Sequence, residues 1–204
     1  MKYEHIASDD VIAKVVENLK ARNIHAVVVD TKEEALEEIK KLIPNGGSVM
    51  NGSSTTLNEI GFVDYLKEGN HGWDNVHADI LNEKDKAKQT RLRKESVLAD
   101  YFLGSVHAIT EAGQLMIASA SGSQIPSYAF TSDNVIWVAS ANKIVADREA
   151  GFKRIEDYVF PLENKRMQGA GYPGSTIGRV LVIEREIMPN RKLTLILVKE
   201  KLGF

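Results

Sequence analysis

"NVIWVASANKIVAD", residues 134–147, decides the fold. Its first half, Asn134 to Ser140, is an apolar run of branched and aromatic residues with no polar alternation. It is too short for an ordinary helix and has the composition of a strand covered on both faces. Similar runs occur in "DYFLGSVHAIT" (100–110), "QLMIAS" (114–119), "RVLVIERE" (179–186) and "KLTLILVKE" (192–200). Strands buried on both faces need layers on both sides, so the chain reads as an α/β layered protein.

The N-terminal part supplies the alternation of helix and strand that such a sheet requires. "SDDVIAKVVENLKARN" (8–23) places Val11, Ile12, Val15, Val16 and Leu19 at helical spacing, with Ser8 or Asp9 as N-cap. "IHAVVVD" (24–30) is a strand, and "TKEEALEEIKKLIP" (31–44) is a helix with Thr31 and Glu34 in capping-box spacing and Pro44 beyond its end. "GGSVMNG" (46–52) is the next short strand, followed by a helix in "TTLNEIGF" (55–62), where Thr56 and Glu59 again have capping-box spacing. Residues 64–82 lack a sustained period and read as a loop with short helical pieces. "NEKDKAKQTRLRKESVLA" (82–99) reads as a solvent-facing helix, and "DREAGFKRIEDYVFP" (147–161) as a helix before the last two strands.

The 204 residues, 43% of them hydrophobic, suit a single domain with one substantial core, and no repeat or linker divides them. The 26 basic and 28 acidic side chains give a formal charge of −2, so nothing points to a nucleic-acid or anionic-membrane partner. The absence of cysteine excludes disulfides, a thiolate nucleophile and a self-ligated iron–sulfur cluster. "MKYEHIASDD" is polar where a signal peptide is apolar, and no run approaches the ~20 apolar residues of a membrane span, so a cytoplasmic location is expected.

In an open α/β sheet the ligand crevice lies beyond the carboxyl ends of the strands, which nominates three loops. In the first, Gly52, Ser53, Ser54 and Thr55 join a strand to a helix N-terminus, where backbone N–H groups and hydroxyls suit an anion; Ser and Thr also serve there as plain helix caps. The loop lacks the lysine and second glycine of a nucleotide P-loop. The second spans residues 103–124: Gly104, Ser105, His107, Thr110 and Glu111 offer a polar floor, and Gly122, Ser123 and Gln124 a second anion-contacting edge. A turn at Glu111 to Gly113 and close packing of the small residues explain the same stretch without a ligand. The third holds Asn142 and Lys143, whose charge can neutralise a carboxylate or phosphate, or simply reach solvent.

His107 has the intrinsic pKa for proton transfer, as does any histidine. His71, Asp74, His77 and Asp79 carry nitrogen and oxygen ligand types, but their spacing fits no metal motif, and no metal site is expected. Trp73 and Trp137 are expected to fill hydrophobic space, with the cover of a ligand as the alternative for Trp73 in its loop.

"NGSSTTLNEIGF", "DYFLGSVHAITEAGQL", "NVIWVASANKIVAD", "RIEDYVFPLENKR" and "KLTLILVKEKLGF", in that order, resemble the LUD domain, the lactate-utilisation family typified by its C-type members. The resemblance is best over residues 45–204, with 1–44 as an N-terminal helix–strand–helix portion of the same domain. It implies a three-layer α/β/α fold with a mostly parallel sheet, similar to the ribose-5-phosphate isomerase, glucosamine-6-phosphate deaminase and coenzyme A transferase group. There the Gly/Ser loop after an early strand binds phosphate or a related anion. The resemblance also implies a role in oxidation of L-lactate or a related organic acid beside iron–sulfur partner proteins, and names no cofactor for this chain. On that reading Gly52 to Thr55 hold the anion, Lys143 adds charge, and Ser105, His107 or Glu111 contacts the reacting carbon. The fold group alternatively implies an isomerase or acyl transferase with Glu111 or Glu59 as base or nucleophile, and a non-catalytic assembly subunit is the third reading. Where many C-type members have an Asn-Arg pair this chain has Ser123 and Gln124, which removes a guanidinium suited to a substrate carboxylate.

Overall fold

In the computed structural model residues 3–204 are described; Met1 and Lys2 of the polar N-terminal stretch lie outside them. The first half of the chain runs α1 (Asp9–Lys20), β1 (Ile24–Val29), α2 (Lys32–Leu42), β2 (Ser48–Asn51), α3 (Thr55–Glu59), α4 (Phe62–Glu68), β3 (Asp74–Asn75), α5 (Val76–Asn82) and α6 (Lys86–Glu95). The second half runs β4 (Tyr101–Gly104), β5 (Ala108–Thr110), β6 (Leu115–Ser119), β7 (Asn134–Ser140), β8 (Ile144–Val145), α7 (Arg148–Arg154), α8 (Phe160–Gly169), β9 (Arg179–Ile183) and β10 (Lys192–Val198).

Six strands form one sheet in the order β1-β10-β7-β4-β2-β3, and every neighbouring pair is parallel. Its central strands are apolar on both sides, as the unalternating sequence requires. Leu193, Leu195 and Leu197 of β10 and Val135, Trp137 and Ala139 of β7 pack with α1 on one face. Ile196, Val198, Ile136 and Val138 pack with Ala35 and Ile39 of α2, Leu57 of α3, and Phe62 and Leu66 of α4 on the other. The protein is thus an α/β fold with a parallel sheet between two covering layers.

One covering layer is itself partly β. Strands β8-β5-β6-β9 make a second sheet, with β5 parallel to β8 and β6 antiparallel to β5 and β9. Ile109, Leu115, Ile117 and Ile183 turn toward the main sheet, while Ala108, Met116 and Val145 turn outward to Ile155. The run 100–110 is therefore two strands in two sheets, because the chain leaves the main sheet after Gly104 and joins the small one at Ala108. The same happens after β7, where a 3-10 turn at Ala141–Lys143 carries the chain into β8. Both sheet-to-sheet links lie at the carboxyl ends of adjacent parallel strands.

Local signals act largely as written. Thr31 and Glu34 form the reciprocal capping box of α2, and α6 is a surface helix with no buried residue. At α3 the expected Thr56–Glu59 box is not formed. Ser54, in extended conformation, caps the helix by accepting from the Leu57 N–H at 3.2 Å, and Glu59 instead accepts from the Gly203 N–H at 2.6 Å. The helix expected over 147–161 extends further. A π-helical turn at Ile155–Val159 links α7 to α8, and the widened turn accommodates a proline ring that a straight helix interior resists, so helical structure runs to Gly169. No helix among the described residues is long and apolar enough to cross a membrane.

Candidate functional site

Beyond the carboxyl ends of β2 and β4 opens a cleft of about 1180 Å³. The loop at Asn51 to Ser53 forms its floor, His77 of α5 and Arg93 of α6 one wall, Ala118 to Ser121 with Ser123 and Gln124 another, and Glu163, Arg166 and Met167 of α8 its roof. Behind it lies a chamber of about 50 Å³ walled by Ser53 to Thr56, Ser105, Tyr128 and Lys143. Ser53, His107, Gln124, Glu163 and Arg166 border both spaces and form the neck between them.

Lys143 sits at the back of the chamber, 2% exposed, because the turn after β7 bends it inward between the two sheets. Its Nζ donates to Thr56 Oγ1 at 3.2 Å, Ser105 Oγ at 3.1 Å and Val106 O at 3.1 Å, and it makes no ion pair among the described residues. Burial, and next the charge of Arg154, push its pKa down to about 7, with Glu59 opposing weakly. Lys143 is therefore an amine that loses its proton near neutrality, and a weaker charge clamp than the sequence suggests.

His107 is equally displaced from its sequence expectation. Its Nδ1 accepts from the Ala118 N–H at 3.0 Å, which fixes the neutral tautomer and leaves Nε2–H as the donor. Burial, followed by Lys143 and Arg154, pushes its pKa down to about 3, so it offers a hydrogen bond rather than a titrating base. Tyr128 packs edge-on against Phe102 at 5.2 Å and is fully buried, which raises its pKa. A Cβ on Gly104 would lie 1.7 Å from Tyr128 Oη, and one on Gly52 2.4 Å from Gln124 Oε1. Both glycines therefore admit these side chains to the strand ends, and Gly52 N–H is already bonded to Leu103 O at 2.9 Å.

The positive charge of the cleft comes from residues the sequence reading passed over. Arg166 is held in a bidentate pair by Glu163, at 2.7 and 2.8 Å. Arg93 has no acidic partner among the described residues, and its charge, after burial, helps to lower the pKa of His77, whose Nδ1 lies 3.2 Å from Asn51 Oδ1. Arg166 lies beyond the helix read over 147–161, although the Glu163–Arg166 spacing of three residues is itself a helical signal. Arg93 was hidden in a charged helix whose facing partner only the tertiary structure reveals.

Of the residues proposed from sequence, Gly52, Ser53, Ser54, Thr55, Ser105, His107, Ser123, Gln124 and Lys143 line the cleft or the chamber. Ser54 is also engaged as a helix cap. Four others lie elsewhere. Glu111 is on the β5–β6 turn, paired with Lys14 at 3.0 Å; the packing of α1 beside this hairpin takes its carboxylate out of the site. Gly104 lies beneath Tyr128, and Gly122 takes a positive φ of 80° against Arg179. Asn142 is turned away, its Nδ2 donating to Tyr3 O at 3.2 Å. His71 is structural, lying between Leu66 O and the Trp73 N–H at 3.0 Å each, and no group of metal-ligating side chains gathers among the described residues.

Residues 12–198 match the LUD domain family. The chain belongs to that family. A solved structure described as a DUF162 family protein from Deinococcus radiodurans is similar at a TM-score of 0.57 and 12% identity, covering 95% of this chain and 99% of that one. Identity at this level shows the shared fold alone. Comparison with curated proteins gives no match.

Proposed function

We propose that this LUD-domain protein binds a small carboxylate of the lactate and pyruvate class in the cleft and acts in organic-acid utilisation. The observation that carries the reading is the set of donors around the neck and cleft that lack acidic partners: Lys143, the Nε2–H of His107 and Arg93. Arg93 supplies a guanidinium from α6 where the family's Asn-Arg pair is replaced by Ser123 and Gln124. Arg93, His107 and Ser53 hold the carboxylate, and Lys143, neutral above about pH 7, accepts the proton that the hydroxyl of a 2-hydroxy acid gives up on oxidation. If the acid is oxidised, its electrons leave through a partner protein or a bound cofactor, and any iron–sulfur cluster belongs to the partner, because a chain without cysteine has no thiolates to hold one.

Thermal unfolding with L-lactate, pyruvate, phosphate, sugar phosphates and coenzyme A tests this. A ligand at one hundred times its dissociation constant stabilises the folded state by ~2.7 kcal/mol, worth ~2–4 °C per kcal/mol for a chain of this size. A rise in Tm with a carboxylate, lost in Arg93→Ala and Ser53→Ala, is the expected result. A rise with a sugar phosphate or coenzyme A alone moves the protein to the isomerase or acyl-transferase reading, and no rise with any ligand overturns binding.

A further inference from the structure

We propose that Ser105 and Lys143 form a nucleophile–base pair that cleaves a small ester or thioester. The pair lies where the two links between the sheets run side by side. Ser105 follows the last residue of β4 and Lys143 follows β7, so parallel pairing of those strands brings Oγ and Nζ to 3.1 Å. A serine oxygen is activated when a base within hydrogen-bond reach can take its proton, and neutral lysine is such a base.

The surroundings assign the roles within this cluster. Val106 O can only accept, from Lys143 at 3.1 Å and from the Ser105 hydroxyl at a longer 3.4 Å, so in the neutral amine one N–H stays on that carbonyl and the lone pair, on the Nζ that lies 3.1 Å from Ser105 Oγ, is left for a hydroxyl. Thr56 and Ser105 are the two hydroxyls in reach. Thr56 is 1% exposed, and Gly203 covers it so closely that a Cβ there would lie 2.3 Å from Thr56 Oγ1. Ser105 is only half-buried and borders the chamber, so it is the hydroxyl a substrate can reach. Lys143 has no carboxylate partner among the described residues to hold it permanently protonated, and the Nε2–H of His107 is a donor at the same neck for a developing oxyanion.

The chemistry closes with water as the only other reactant. Ser105 Oγ bonds to the acyl carbon while its proton passes to Lys143 Nζ, and that proton then leaves with the departing alkoxide or thiolate as the acyl–oxygen or acyl–sulfur bond breaks. Water next attacks the acyl-serine, gives a proton to Lys143, and the carboxylic acid departs as Ser105 Oγ recovers it. The acid so released is of the class the adjoining cleft is proposed to bind, but the pair stands on its own geometry.

Labelling with an alkyl fluorophosphonate, read by peptide mass spectrometry, is the test. Ser105 is expected to be modified, and Ser105→Ala to abolish it. Lys143→Met, shown to be folded by its thermal transition, should slow labelling by about 10²-fold or more. In the unmutated protein the labelling rate should rise through the titration of Lys143, near pH 7. The groups facing Lys143 in this titration are Glu59 of α3, His107, Arg154 of α7, the Glu163–Arg166 pair, Tyr128 and the main-chain end at Phe204; His107 is held neutral far below that range, and burial raises Tyr128 well above it. This pH profile tests the base even if the lysine variant does not fold. Absence of labelling at Ser105, or labelling of a folded Lys143→Met at the original rate, overturns the proposal. So does a borohydride-trapped pyruvate adduct on Lys143, which would make the lysine the nucleophile. The carboxylate-induced rise in Tm is independent of these outcomes, so the two readings fail separately.

Discussion

The two ends of the parallel sheet bury positive charge in opposite ways. At the amino ends, Arg191 just before β10 donates to Glu186 at 2.8 Å and to the carbonyls of Ser127, Tyr128, Ala129 and Ser132 at 2.8–3.2 Å. Guanidinium and carboxylate are 5% and 8% exposed, and Arg191 has no buried polar atom left without a partner. At the carboxyl ends, Lys143 and Arg154 are buried without an ion pair among the described residues, and Arg154 Nε and Nη2 have no acceptor. Arg154 is instead flanked by the rings of Tyr3 and Tyr158, at 5.7 and 5.2 Å. A satisfied buried charge fixes structure; charges buried without counterions are retained against stability, which is the ground for proposing the site at the carboxyl end.

The largest expected effect breaks the satisfied cluster. Arg191→Met leaves Glu186 and several carbonyls buried without a donor and should cost about 3–5 kcal/mol, read by denaturant unfolding. An effect below 1 kcal/mol would mean that the two ends do not differ. The next effect sharpens the contrast at Lys143. Its folded pKa of about 7 lies below the ordinary lysine value, so between roughly pH 7 and 10 the unfolded chain binds the extra proton and stability rises with pH. The slope from this group approaches ~1.4 kcal/mol per pH unit in that window and should vanish in Lys143→Met. His107 adds a similar rise between about pH 3 and 6.5, since its folded pKa is also depressed; His107→Asn should remove that part of the acid limb. The smallest effect is at Glu111. Its pair with Lys14 is solvent-accessible, so Glu111→Gln should change stability by less than about 1 kcal/mol and leave Ser105 labelling unchanged.

What could be read from sequence follows from which signals are local. Unalternating strands such as 192–198 and the Thr31–Glu34 box depend on neighbours along the chain; they led to the α/β architecture, and that architecture nominated the loop at 52–55. The division into two sheets was hidden because only the short Gly104 to His107 link separates β4 from β5 within one apolar stretch. Glu111 seemed close to Ser105 because both lie in the same stretch of sequence; the β5–β6 turn carries it to α1. Tyr128 and Arg93 reach the site through a π-helical turn at Ser127–Thr131 and a polar helix, neither of which has periodicity that predicts a direction.

The π-helical turn at Ile155–Val159 sets the phase of everything after it. Each residue of an α-helix advances the side-chain direction by about 100°, so deleting one residue within that turn would regularise the helix and rotate α8 by roughly that angle. Glu163, Arg166 and Met167 would then swing from the roof of the cleft while α7 and both sheets stayed in register. A single-residue deletion is thus an indexing change: it leaves the composition of the helix almost intact and exchanges the set of side chains that closes the neck.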